Sequence, residues 1–358
     1  MRRAAIAAAA AFATACASSG GDRAAPARTA APVAADDPIG FTSRIDRDHP
    51  LVGVIWDVAA QRRADWGSVR ARMASARHVL LGEKHDDPDH HALQARALRA
   101  LVASGRRPAV AFEMLEDREQ AAVDAYMTSH ADARDLGTAV AWDRSGWPPW
   151  DQYRPIADVA MAARLPIVAA NLSRAQVRAA MTTGVDALPP AIAARVARPL
   201  AEDQATALKE ELAASHCGHL PAEMVDKMVL AQRARDAALA ERMRESAARA
   251  DGSVLIAGAG HVRNDRGVPT YLDGASVSIA FIEVERGANA PADYAVALHA
   301  ARLPFDYVVF TPRANDDDPC ARFAPASAGA SGGPRPAGPR PGPALQGPAP
   351  EGPGSVKP

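Results

Sequence analysis

A mostly parallel α/β sheet with flanking helices and a helical insertion is the fold class this chain predicts. Three observations carry it. Short apolar runs alternate with stretches of helical periodicity, one long segment between two runs is helical nearly throughout, and two of the runs lead into the same Gly-x-x-His pattern. His78 to Leu81 is the first run, and Pro88 to Ser104 follows with Leu93, Ala97, Leu98 and Leu101 at helical spacing, closed by Gly105. Pro108 to Glu113 repeats the strand, and about Asp117 to Ser129 repeats the helix. Asp151 to Leu165 reads as a helix and Pro166 to Asn171 as the next strand. Arg174 to Arg249 is the helical insertion, after which Ser253 to Ala257, Val277 to Val284 and Tyr307 to Phe310 complete the sheet.

The ends of the chain read differently. Arg2 and Arg3, an apolar stretch from Ala4 to Ala13, and Ala13-Thr14-Ala15-Cys16 have the order of a lipoprotein signal, with residues 1–15 removed and Cys16 acylated. A Ser-, Gly-, Ala- and Pro-rich tether to about residue 40 leads to an α/β domain over 41–323, with its insertion at about 174–250. Residues 324–358 are Pro, Gly, Ala and Ser with little that is large and apolar, a composition that predicts disorder. The expected location is therefore the periplasmic or cell-surface side of a bacterial membrane. A formal net charge of -1 over 358 residues, with no long basic block, excludes a nucleic-acid partner.

Gly82-Glu83-Lys84-His85 and Gly258-Ala259-Gly260-His261 each follow an apolar run, so each histidine is expected just past a strand end. Glu113 and Asn171 are expected at the ends of two other strands. In a parallel sheet Glu83, His85, Glu113, Asn171 and His261 then converge on the rim where ligands of open α/β sheets bind. A helix cap or a solvated loop accounts for any one of them alone. It does not account for two histidines behind two glycine-containing turns, where a backbone without Cβ permits close approach.

With those residues in place, the sequence resembles the ChaN-like haem-binding lipoproteins. The segments are Leu81-Gly-Glu-Lys-His85-Asp-Asp-Pro-Asp-His-His91, Phe112-Glu-Met114, Trp147-Pro-Pro-Trp-Asp-Gln-Tyr153-Arg-Pro-Ile156, Ala170-Asn171, Ser215-His-Cys-Gly218 and Gly258-Ala-Gly-His261-Val-Arg-Asn-Asp-Arg-Gly-Val-Pro269. The resemblance runs from about Leu51 to Phe323, and the wider group is similar to the Tiki and TraB proteins and the erythromycin esterases. It implies a membrane-anchored haem binder linked to iron uptake, and it suggests a homodimer sharing stacked haems. The wider group implies a hydrolase instead, and a scaffold lipoprotein without catalysis is the third alternative.

These readings use the same residues differently. For hydrolysis, Glu83, His85, Glu113 and His261 could hold a divalent metal and its water, or with Asn171 act as a metal-free His/Glu catalytic set. For haem, the iron needs an axial Tyr or His. The candidates are Tyr153, with its phenol pointing outward, and His85 or His261, with Trp150 in a flat aromatic wall. Trp142, Trp147 and Trp150 can equally be core. His90 and His91 head a helix and are expected to be solvated or capping. His216 and His219 flank Cys217 without the second cysteine pair that structural zinc prefers. With Cys16 acylated, Cys217 and Cys320 remain as an even pair for an oxidising compartment, a disulfide or else two buried thiols.

Overall fold

A computed structural model describes residues 40–318 and 320–321, all within one compact unit. The expected signal, the lipidation site Cys16, nearly all of the tether and the C-terminal tail lie outside these residues. Eight strands form one sheet: β1 (Ile55–Asp57), β2 (Arg62–Ala64), β3 (His78–Glu83), β4 (Ala109–Glu116), β5 (Ile167–Asn171), β6 (Ser253–Gly258), β7 (Ser276–Glu283) and β8 (Tyr307–Thr311). Their order is β2-β1-β8-β7-β3-β6-β4-β5. From β8 to β5 every neighbouring pair is parallel, so six strands end on one edge. At the far side β1 runs opposite to β8, and β2 pairs antiparallel with β1.

Ten helices accompany them: α1 (Trp66–Ser75), α2 (Pro88–Ala103), α3 (Gln120–Ser129), α4 (Leu136–Ala139), α5 (Trp150–Ala162), α6 (Arg174–Thr183), α7 (Pro190–Val196), α8 (Glu202–Ser215), α9 (Ala222–Ala247) and α10 (Asp293–Ala297). The sheet is buried on both faces, so its strands read as continuous apolar runs. Within them the pleat sorts side chains by period two. Val79, Leu81, Val110, Phe112, Val254 and Ile256 join a core with α1 to α5. Leu80, Ala111, Leu255 and Ala257 join a second core with α6, α7 and α9.

One expectation is corrected and two are extended. Glu113 does not end its strand, because β4 continues to Glu116 after losing register with β5 beyond Phe112. The segment after β5 is less an insertion than the covering layer itself, since the 26-residue α9 packs on β4, β5 and β6. The hairpin β1–β2 and helix α1 add to the expected elements: strands of three residues, one of them Arg62-Arg63-Ala64, carry no apolar periodicity. Cys217 and Cys320 form a disulfide with Cα atoms 5.8 Å apart, tying the end of α8 to the segment after β8. Among the described residues no helix is long and apolar enough to cross a membrane.

Candidate functional site

β3 delivers Glu83 as its last residue, and β5 delivers Asn171 likewise. β6 lies between β3 and β4, so the turn after it carries His261 over the same edge. Glu83 continues the pleat of Val79 and Leu81 and turns to the α2/α5 face. There it accepts the Tyr153 hydroxyl at 2.8 Å and faces His91 Nε2 at 3.0 Å. Glu113 shares the pleat of Ala111 and turns to the α9 face. Its Oε1 lies 3.2 Å from His261 Nε2, whose Nδ1 lies 2.6 Å from Asp236 Oδ1 and 3.2 Å from Gln232 Nε2 on α9. His85 spans the two faces, with Nδ1 2.9 Å from Glu83 Oε1 and Nε2 4.0 Å from Glu113 Oε2. The result is an alternating row of imidazoles and carboxylates: His91, Glu83, His85, Glu113, His261, Asp236.

Alternation decides the charges. Burial alone pushes a carboxyl up and an imidazole down. For Glu83 burial is outweighed by attraction to His91 and the hydrogen bonds of His85 and His91, which bring it down to about 2. Burial of Glu113 is likewise outweighed, by the charges of His261 and His85 and by the Gly258 N–H, and its carboxyl sits far below the usual range. Burial pulls His261 down, but Glu113 and Asp236 raise it to about 10. His85 is also raised, by Glu113 and Glu83 against its burial. Asp236 is pushed up by its burial to about 6, although His261 opposes this.

The two Gly-x-x-His turns are needed for steric reasons. A Cβ on Gly258 would stand 2.9 Å from His85 Nε2, and one on Gly82 would stand 2.3 Å from Val262 Cγ2. Because β4 leaves its ladder with β6 after Phe112, the Gly258 N–H is free for Glu113 Oε2, which accepts it at 2.8 Å. Asn171 donates Nδ2 to the Glu113 carbonyl at 2.9 Å. Its own Oδ1 is buried without a hydrogen-bond partner.

A cleft of about 440 Å³ opens beside this row, lined by Glu113, Met114, Trp147, Asn171 and four arginines among others. The His85 ring meets Trp147 edge-on with centroids 4.7 Å apart, and the His85 side chain is 31% exposed. His85 Nε2 packs against Gly258 and has no partner at hydrogen-bond distance, Glu113 Oε2 being 4.0 Å away, and His85 has the most exposed side chain of the row.

The sequence over residues 69–272 matches the family model described as "Haem-binding uptake, Tiki superfamily, ChaN", more than half of the 358 residues. The chain belongs to this family. The ChaN structure of Campylobacter jejuni, described as cofacial haem binding, is similar at 22% identity and a TM-score of 0.54, over 71% of this chain and 95% of that one. The likeness is one of fold. The type III effector HopBA1 matches at 17% identity and a TM-score of 0.39, over 68% of this chain and 91% of that one. A mutant of the erythromycin esterase EreC in its open conformation matches at 14% and 0.37, over 74% and 99%. No curated protein matches the sequence.

For this ChaN-family chain, the five rim residues read from the sequence lie at one edge, four of them within a single row of hydrogen bonds and ion pairs and Asn171 bonded to the backbone of Glu113. Two aromatic candidates lie elsewhere than expected. The Tyr153 phenol is fully buried and points inward, where burial and the Glu83 charge hold it protonated with a pKa well above the usual 10. Trp150 is core, its Nε1–H donated to the Ala133 carbonyl, so Trp147 is the aromatic residue at the opening. His90 and His91 are buried, not solvated. Among the described residues no group of three or more His, Cys, Asp or Glu is placed to hold a metal ion.

Sequence reasoning missed His91, Asp236, Gln232 and Arg235. His91 could have been found as the fourth residue of a helix that starts with Pro88 directly after the rim loop. Asp236 lies among Ala231, Ala234, Ala237, Ala238 and Leu239, a carboxylate on an otherwise apolar stripe, which is a signal for a buried partner.

Proposed function

We propose that this protein is a haem-binding, membrane-anchored lipoprotein serving iron or haem uptake. The observation that carries the reading is His85. Its Nδ1–H is held by a buried carboxylate, its Nε2 has no hydrogen-bond partner, and its ring, in a side chain that is 31% exposed, stands edge-on to Trp147. A ligating imidazole usually gives its other N–H to such a partner, which fixes the tautomer and raises basicity. His85 would therefore hold the iron through Nε2, and Trp147 would offer an apolar surface to the macrocycle. Bound haem would supply a redox-active iron that accepts a nitrogen ligand. His261 is a weaker candidate, since both its nitrogens face carboxylates. Tyr153 positions Glu83 instead of ligating.

Hydrolysis has less support from the same geometry. A general base works best with a pKa near the operating pH. Glu83 at about 2 and His261 at about 10 are far from neutrality in opposite directions, and Asp236, at about 6, is buried behind His261 and does not line the cleft.

The test is a hemin titration of the mature chain followed at the Soret band. Saturable binding is expected, weakened about tenfold or more by His85→Ala, an amount equal to about 1.4 kcal/mol. Tyr153→Phe should leave the spectrum of the complex unaltered. Absence of saturable binding, or loss of it in Tyr153→Phe with His85→Ala unaffected, would sink the assignment. Glu113 and Glu83 raise the proton affinity of His85, so protons compete for Nε2 and affinity should increase as pH rises.

Export is part of the proposal. Acylation of Cys16 would place the domain outside the cytoplasm, where a disulfide such as Cys217–Cys320 persists. Cys16→Ser should move the protein from the membrane fraction to the soluble one. The cofacial arrangement described for the Campylobacter jejuni protein suggests a homodimer, which hemin-dependent sedimentation would detect.

A further inference from the structure

Arg235 on α9 lines the cleft beside the imidazole–carboxylate row, yet its guanidinium makes no hydrogen bond or ion pair with any described residue. Its burial lowers its affinity for the proton, and the charges of Glu113 and Glu116 oppose this only at a distance. A guanidinium is not deprotonated at ordinary pH. The cleft therefore contains a partly buried cation with no carboxylate at ion-pair distance, Glu113, Glu116 and Asp236 acting on it only from farther away, and an anion in the cleft would complete it.

The other charges of the cleft do not supply the missing anion. Glu116 is engaged by Arg118 at 2.5 Å and by Arg174 at 3.7 Å. Glu119 accepts the Glu116 N–H, and Glu113 is committed to His85 and His261. Arg144 stands exposed at the mouth. A second, independent observation points to the same space: Asn171 is 2% exposed and lines the cleft, and its Oδ1 has no partner. The cleft thus offers a row of donors from Arg235 and one buried acceptor.

We propose that this cleft is a carboxylate-binding subsite, with Arg235 taking the acid group of the ligand and Asn171 Oδ1 taking a hydrogen of the water carried in with it. Arginine suits this because its planar fork matches both oxygens of a carboxylate. The inference rests on the haem reading, under which the acid is a porphyrin propionate and the iron lies toward His85. It adds to that reading the orientation of the ligand: acid edge toward α9 and the start of α6, metal toward the turn after β3.

The experiment is an equilibrium titration of the full chain, and of Arg235→Met and Arg235→Lys, with hemin and with hemin dimethyl ester, which lacks the free acids. Absorbance at the Soret band and quenching of tryptophan emission are both recorded. The parent is expected to prefer hemin over the ester by about tenfold or more, as a charge-assisted bidentate pair implies. Arg235→Met should reduce that preference to within about twofold, and Arg235→Lys, which keeps the charge without the fork, should fall between. Thermal unfolding followed by circular dichroism confirms that each variant is folded. A parent that binds both porphyrins equally, or an Arg235→Met variant that keeps the preference, overturns the subsite while haem binding stands. A parent that binds neither porphyrin ends both.

Discussion

Two neighbouring histidines, His90 and His91, enter two carboxylate clusters that behave in opposite ways. His91 joins the rim row through Glu83, where charges alternate and are held apart from neutrality. His90 lies 3.1 Å from Asp87 Oδ2 and 2.9 Å from Thr311 Oγ1, fully enclosed, while its Nδ1 accepts the Lys84 N–H. There burial and the nearby His91 lower His90 to about 3, and burial with the Glu283 charge raises Asp87 to about 8. That pair is neutral at pH 7. The residue types and distances are alike, so the difference lies in what surrounds them. On the rim each buried carboxylate has imidazoles beside it, and the row reaches solvent at His85. Under α2 burial dominates, Asp87 has the like charges of Glu283 and Asp89 near it, and neither side chain is exposed. A buried histidine beside an acid is thus a site candidate only when the neighbouring charges alternate.

Removal of the central rim carboxylate should break this contrast most severely. Glu113→Ala would remove the carboxylate between His85 and His261, leaving each with its other acid alone, Glu83 and Asp236, and would orphan the Gly258 N–H. The expected loss is about 3 to 5 kcal/mol, the range for breaking a buried pair by removing one partner. Denaturant unfolding at pH 7 measures it. A loss within experimental error would mean that the rim row is solvated and not a charged, desolvated network.

The pH dependence separates the clusters next. His261 is raised in the folded protein from an ordinary 6.5 to about 10. The folded state then binds its proton more tightly than the unfolded state, so its contribution is complete below about 6.5 and disappears as pH rises through 10. Parent stability minus that of His261→Gln should be flat below pH 6.5 and decline above it, by an amount on the order of a few kcal/mol. Glu83, depressed from 4.5 to about 2, gives the mirror image. Its contribution is complete above about 4.5 and is lost as pH falls through 2.

How much of this is legible in the sequence follows from which signals are local. The apolar runs of β3 to β8 are local, and so are the two glycine turns, which is why sequence pattern alone puts Glu83, His85 and His261 on one edge. It puts Glu113 on that edge too, but the role of Glu113 as hinge between His85 and His261 depends on a register break between β4 and β5 that no periodicity announces. Asp236 reaches the site from 26-residue α9, and its contact depends on how that helix crosses the sheet. Tyr153 shows the limit most clearly. Its neighbours in sequence are tryptophans and prolines, but the pitch of α5 turns its phenol down to Glu83.

A smaller effect sharpens the contrast between packing and ligation. Gly258→Ala would set a Cβ 2.9 Å from His85 Nε2 and 3.6 Å from Glu113 Oε2 without removing any charge. Overpacking of this kind costs about 1 to 3 kcal/mol, and the displaced imidazole should shift the Soret band of bound hemin. An unshifted band with lowered stability would place the iron away from His85.

The smallest effect is expected in the enclosed cluster, at Asp87. This residue caps α2, its Oδ1 accepting the Asp89 N–H at 2.8 Å ahead of Pro88. Asparagine caps a helix about as well as aspartate, and in Asp87→Asn a neutral amide replaces a carboxyl that is already protonated at pH 7. At pH 7 the variant should be at least as stable as the parent, despite complete burial beside a histidine, because the parent must take up a proton on folding and the amide need not. The sign then changes with pH in a way the rim acids do not share. Asp87 is raised from 3.8 to about 8, so its contribution is complete below 3.8 and is lost as pH rises through 8. Relative to the parent, Asp87→Asn should therefore gain stability between pH 4 and pH 8, whereas Glu83→Gln should lose it between pH 2 and pH 4.5 and stay low above. Parallel unfolding curves of the two variants across that range decide whether one cluster is neutral and the other charged; curves of the same slope would show the two clusters to be alike.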